Sequence, residues 1–279
     1  MAFEQFHLKK MLYPLYRRML RNTPAFKRQM ALMEKFRESN LQIQDNILQK
    51  LNLHQELKVV NGPFKGLNYI HKATGSMFFP KLIGSYEEPI HDWVYEIIGN
   101  SNYKKIIDIG CAEGYYAVGF AKKMPYANVT GSDINPEALK LAKQLAKLNE
   151  VNNIQFVGAL SPEDLESICE VKTLIFCDIE GEEVRILDPI KVPMLTSCDI
   201  LVEAHDCFVK GLTELLIHRF SKTHQIDLIC DYPWRKMDYQ LDHLDEEEKK
   251  FLLNENRPEN MRWLFMRTQE YPKINKHLR

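Results

Sequence analysis

No stretch of this 279-residue chain approaches the ~18 consecutive apolar residues of a membrane-spanning helix, so the sequence predicts no transmembrane segment. Its six cysteines, Cys111, Cys169, Cys177, Cys198, Cys207 and Cys230, contain no C-x-x-C pair. That pattern predicts reduced thiols rather than a disulfide frame or a zinc site, and with no signal-peptide pattern at the start it predicts a cytoplasmic protein. A net charge of −1 gives no overall basic character, so nucleic acid is not an expected partner. The chain also lacks G-x-G-x-x-G, which argues against a nicotinamide dinucleotide as ligand, and it shows no internal repeat. A hydrophobic fraction of 45% still supplies a full core.

What the sequence does contain is a strand, a glycine turn and a helix between Lys104 and Ala121. Lys104 to Ile109 is a short apolar run of the kind a buried parallel strand needs. It closes in Asp108-Ile109-Gly110-Cys111-Ala112-Glu113-Gly114, and Tyr115 to Lys123 then repeats with helical period. The two glycines permit a tight turn and close backbone approach to a ligand, and the helix start offers free N–H groups to an anion.

Beyond this unit, apolar runs and helical patterns alternate. Strands are predicted at 128–134, 154–159, 173–179, 199–204, 226–230 and 262–266, with helices at 136–149, 161–168, 182–187 and 212–222 between them. Such alternation means a parallel sheet covered by helices on both faces. Ligands of open α/β sheets bind beyond the carboxyl ends of the strands, which collects the polar strand-end residues in one crevice. Asp133 ends the second strand, and its two carboxylate oxygens suit a pair of ribose hydroxyls, with Asn135 the better-placed helix cap. The fourth strand runs into Asp178-Ile179-Glu180-Gly181-Glu182-Glu183 and the fifth into Glu203-Ala204-His205-Asp206. The carboxylates and the histidine gathered at these adjacent strand ends exceed what local capping requires.

The D-x-G-x-x-x-G turn resembles the first motif of class I S-adenosylmethionine-dependent methyltransferases. The D-x-E-G-x-E…L pattern from Asp178 to Leu187, with E-x-H at Glu203 to His205, resembles the FkbM-type members. This resemblance covers roughly 104–206. It implies a doubly wound, mostly parallel seven-stranded Rossmann-like methyltransferase sheet, closed by an antiparallel pair of strands at its C-terminal end. It implies S-adenosyl-L-methionine as cofactor, with Asp108, Gly110, Cys111, Ala112, Gly114, Asp133, Ile134, Ala159, Leu160 and Asp178 around it. Gly158-Ala159-Leu160 departs from the acidic residue often found near adenine, leaving apolar packing and backbone for that role. The expected reaction is O-methylation of a small-molecule or sugar hydroxyl, with His205 as base, Glu180 as its alternative and Asp206 completing the cluster. No metal is assigned, although Asp178, Glu180, Asp206 and His205 are of the types that hard cations accept. The chain has no N-P-P-Y and no Pro-Cys pair, which argues against amino-group methylation of DNA and against cytosine C5 methylation.

Three segments are predicted: an N-terminal helical extension over 1–57, a hairpin and capped helix over 58–100, and the core over 101–279. The first 60 residues hold 11 Lys/Arg against 5 Asp/Glu, leaving the remainder acidic. Leu8, Leu12, Leu15, Met19 and Leu20 share one face there, a stripe expected to pack on the core rather than on a membrane surface or an acidic partner, and a homo-oligomer is expected to form, if at all, through these helices. The alternative to an enzyme is a non-catalytic binding or scaffold module using these basic helices; the intact cofactor set argues against it. Asn61-Gly62 predicts a hairpin turn between 57 and 70. Ser85 and Glu88 have capping-box spacing for a helix over 81–99, and Tyr86 and Glu87 are candidates for covering the cofactor.

Overall fold

A computed structural model describes residues 43–269 apart from 54, 233–234, 236–240, 242–243 and 258–260. The helices expected before residue 43, and any self-association through them, lie outside the described residues. Two compact units meet at Gln55, and the first carries a helix over residues 43–50.

The second unit opens with chain 57–69 doubling back on itself, Tyr69 N donating to Leu57 O and Val59 N to Leu67 O. The turn is not the two-residue Asn61-Gly62 type. It extends to Gly66, whose N–H reaches Val59 O, because Phe64 leaves the turn for the core, edge-on to Tyr115, Tyr116 and Phe120. The predicted helix over 81–99 is also corrected. It breaks into α1 (Phe78–Ile83), a 3-10 turn (Glu88–Ile90) and α2 (His91–Gly99). Gly84 stops α1 with φ +80°, and a Cβ there would lie 2.1 Å from Asn61 O, so the doubled-back chain occupies the path a longer helix would take. No capping box forms: Ser85 Oγ is buried without a hydrogen-bond partner among the described residues.

The core then follows the predicted alternation: β1 (Lys105–Ile109), α3 (Tyr115–Lys123), β2 (Asn128–Ser132), α4 (Pro136–Leu148), β3 (Ile154–Val157), α5 (Pro162–Ile168), β4 (Leu174–Cys177), α6 (Glu183–Ile186), β5 (Asp199–Ala204), α7 (Leu212–Phe220), β6 (His224–Cys230), α8 (Glu246–Leu253) and β7 (Arg262–Thr268). The strand order is β3-β2-β1-β4-β5-β7-β6, with β7 antiparallel to both its neighbours. β1 and β4 are buried nearly throughout, as strands covered on both faces must be. The first two crossovers lead outward from β1 on one side and the next two on the other. The switch point between β1 and β4 therefore opens a crevice at their carboxyl ends. α4 begins on Asn135, whose side chain accepts from Glu137 N, so Asp133 is free of the capping role. α8 starts from Asp245 with a full capping box to Glu248, so Glu246, Glu247 and Glu248 make up an acidic first turn.

α2 carries a pH-sensitive contact. His91 is 8% exposed and donates Nε2–H to Tyr86 O at 2.9 Å, and burial pulls its pKa from 6.5 to about 4. Because the folded state holds the neutral ring, the unfolded chain binds more protons between those values. Stability is complete above pH 6.5 and should fall by about 3 kcal/mol as pH drops to 4. Urea unfolding of His91→Gln should show a shallower acid slope than the parent; equal slopes would remove His91 as the cause.

Candidate active site

The turn after β1 is set by backbone contacts that only certain residues tolerate. Gly110 has φ +91°, and a Cβ on it would sit 1.8 Å from Asp178 O, so glycine alone lets β1 and β4 approach this closely. Gly110 N and Cys111 N both donate to Ser132 O, drawing the turn over the end of β2. Ala112 takes φ +46°, and its N–H is held at 2.9 Å by Asp133 Oδ2, while Asp133 Oδ1 accepts from Asn135 N at 2.7 Å. Asp133 thus anchors the turn and keeps lone pairs on both oxygens.

Beyond the turn lies a cavity of about 710 Å³, a size that suits a nucleoside-bearing ligand. Of the predicted cofactor set, Asp108, Gly110, Cys111, Ala112, Asp133, Ile134, Ala159, Leu160 and Asp178 all line it. Gly114 does not; it caps α3 in the left-handed conformation behind the wall. Ile134 is 85% exposed at the rim, an apolar surface that an aromatic ring would cover. Two buried polar atoms of wall residues, Asp108 Oδ2 and Tyr115 Oη, have no hydrogen-bond partner among the described residues. Buried polar groups are normally paired, so both point to a ligand with donors and acceptors of its own. Burial and the nearby Asp178 push the Asp108 carboxyl well above its ordinary range, a field that a cationic ligand would relieve. The residues present fit S-adenosylmethionine.

The predicted catalytic cluster divides. Glu180 is on the cavity wall, in a left-handed conformation at φ +52°, beside Asp178. His205 stands behind Asp178, with Nε2 3.4 Å from Asp178 Oδ1 and 3.7 Å from Glu203 Oε2. Its Nδ1 is 2.8 Å from Glu183 Oε1. Burial disfavours the charged ring, but Glu183 and the Asp178 and Glu180 charges outweigh it and raise the pKa above 6.5. His205 does not line the cavity; with Nδ1 engaged by Glu183, it meets the wall through Asp178. Asp206 is turned away from the cavity: it accepts from Thr213 N at 3.2 Å at the start of α7 and pairs with Arg262.

Three further acidic residues organise this region: Glu183 and Glu113, which sequence reasoning gave no role, and Glu87, which it placed over the cofactor. Glu183, completely buried, also accepts from Ile179 N at 3.1 Å and Gly181 N at 2.7 Å, shaping the loop that presents Asp178 and Glu180. Glu87 accepts from Tyr116 Oη at 2.6 Å and pairs with Arg257, which also holds Glu203, Asp231 and Glu255. Burial, moderated by Arg257, pushes the Glu87 carboxyl up to about 7. Glu113, inside the glycine turn, is buried against Lys81 and Tyr69. The extra glutamate in E-G-E-E was a visible signal for Glu183; nothing local announced the pairing of Glu87 with a residue 170 positions away. Asp178, Glu203 and His205 each place one potential metal ligand within 4.8 Å of the others, though Arg257 and Glu183 already engage two of them.

Residues 100–176 match the sequence family described as a methyltransferase domain. A release factor glutamine methyltransferase of Flavobacterium psychrophilum is 39% identical over 146 residues, spanning 50% of this chain and 51% of that protein. A protein described as an uncharacterized RNA methyltransferase of Aquifex aeolicus is 30% identical over 155 residues, 50% of this chain and 36% of its own length. This chain spans about half the length of these curated relatives or less. Among solved structures, precorrin-6y C5,15-methyltransferase of Geobacter metallireducens aligns with a TM-score of 0.42 at 13% identity, over 61% of this chain and 84% of that one. The sheet order is that of a Rossmann-like methyltransferase fold, and the segment that matches the methyltransferase domain, residues 100–176, supplies much of the cavity wall.

Proposed function

We propose that the protein is an S-adenosylmethionine-dependent methyltransferase whose acceptor is a hydroxyl on a small molecule, as its FkbM-like strand-end motif implies. The observation that carries this reading is the pair of carboxylates, Asp178 and Glu180, on the wall of the cavity next to the glycine turn. A sulfonium methyl is already activated, so the cofactor supplies the electrophile and alignment supplies most of the rate. Asp133 holds the ribose hydroxyls, and Ala159, Leu160 and Ile134 flank the adenine. Asp108 faces the amino group, and Asp178 or Glu180 takes the acceptor's proton as its oxygen attacks. His205, anchored by Glu183, holds Asp178 in place. Among the described wall residues both cations are paired, Lys81 with Glu113 and Arg185 with Glu182, and Arg257 nearby holds four carboxylates. A phosphate-rich polymer would find little to bind there, which favours a small acceptor over the RNA named for one relative.

The test is S-adenosylhomocysteine release with a panel of hydroxyl-bearing small molecules, an RNA pool and a glutamine-containing peptide. Turnover confined to the RNA or the peptide would overturn the acceptor assignment. Calorimetry of Asp133→Ala should show S-adenosylmethionine affinity weaker by roughly 1.5–3 kcal/mol, the scale of a hydrogen bond to a charged group. Unchanged affinity would remove Asp133 from the site.

A further inference from the structure

The chain between Tyr69 and Lys81 crosses the cavity, and Thr74, Gly75 and Ser76 form part of its wall. What holds it there is a single side chain from the glycine turn. Glu113 is completely buried, accepts from Tyr69 Oη at 2.6 Å and from Thr74 N at 2.9 Å, and pairs with the Lys81 ammonium, itself 4% exposed. Burial opposes the charged carboxylate, but Lys81 and these hydrogen bonds outweigh it and keep the group below its ordinary pKa. A buried ion pair is weak evidence for stability, since well-packed apolar residues usually do as well. Here it does something apolar residues could not: it ties a crossing segment to the turn that holds the cofactor, with one carboxylate fixing three donors.

The wall is chemically two-sided. Asp108, Asp178 and Glu180 make an acidic part, while Thr74, Ser76, Lys81 and Tyr115 make a part rich in donors. Tyr115 is 3% exposed, and its hydroxyl has no partner among the described residues. The amino-acid end of S-adenosylmethionine carries one ammonium and one carboxylate, so the acidic part suits the first and the donor part the second. We propose that residues 71–77 are a strap over the amino-acid end of the cofactor, with Thr74, Ser76 and Tyr115 as donors to its carboxylate and Glu113 as the residue that positions the strap. This rests on the cofactor assignment above and adds residues from outside the matched domain segment to the site.

The experiment compares two ligands by calorimetry on the full chain: S-adenosylhomocysteine, and 5′-methylthioadenosine, which lacks the amino-acid end. In Glu113→Gln, and in the double variant Thr74→Ala/Ser76→Ala, S-adenosylhomocysteine affinity should fall about 10- to 100-fold while 5′-methylthioadenosine affinity stays within about two-fold. The double variant leaves the buried pair intact, so the comparison survives if Glu113→Gln does not fold. Equal weakening of both ligands would show general damage to the cavity and overturn the strap assignment, as would unchanged affinity for S-adenosylhomocysteine. If the parent binds neither ligand, the cofactor reading itself fails.

Discussion

Substituting Gly110 by alanine is expected to abolish S-adenosylmethionine binding and to lower the melting temperature. The added Cβ would lie 1.8 Å from Asp178 O and 2.9 Å from Ile179 Cγ2, at a backbone φ of +91°. Backbone cannot yield as a side-chain tip can, so β1 and β4 must part or the turn must change conformation. Overpacking and an unfavourable φ together cost about 3 kcal/mol or more. The same displacement moves Asp178 and unseats the turn that Asp133 and Ser132 O hold, so binding and stability fall together. Calorimetry with thermal unfolding checks both. A Gly110→Ala protein with parental affinity would show that the close approach of β1 and β4 is not part of the site.

The second large effect is on chemistry. Whichever of Asp178 and Glu180 accepts the acceptor's proton, its amide variant should lose about 10²–10⁴-fold in turnover. Glu180→Gln should leave cofactor affinity within several-fold, since Glu180 extends past the glycine turn. Asp178→Asn should also weaken cofactor binding, because Asp178 is among the charges that act on buried Asp108. His205→Gln removes the imidazole beside Asp178 without removing a wall residue, so it should reduce turnover less than the more damaging of the two amide variants. Full turnover in both amide variants with a true acceptor would mean that alignment alone drives the reaction.

The sheet was legible because its signals are local and periodic. Apolar runs such as Ile106-Ile107 and Leu174-Ile175-Phe176, broken by helices opening at Pro136 and Pro162, predicted the alternation, and no strand end differs by more than two residues. The cofactor wall was legible for a related reason: parallel strands deliver their terminal residues to one edge, so Asp108, Asp133 and Asp178 converge by topology. The region before the core was misread because distant contacts override its local patterns. Ser85 and Glu88 have the spacing of a capping box, yet Asn61 stops the chain from extending α1 past Gly84. The place of His205 was not legible because it depends on a contact made across the loop. Glu183 holds the ring behind Asp178, off the cavity wall.

The most direct measurement is a crystal structure of the full chain with S-adenosylhomocysteine. The account predicts the ribose within hydrogen-bonding distance of Asp133, the adenine between Ile134 and Leu160, and the amino-acid end between Asp108 and the strap at Thr74 to Ser76. Density for the ligand outside the crevice between the ends of β1, β2 and β4, or an empty crevice at saturating ligand, would contradict it.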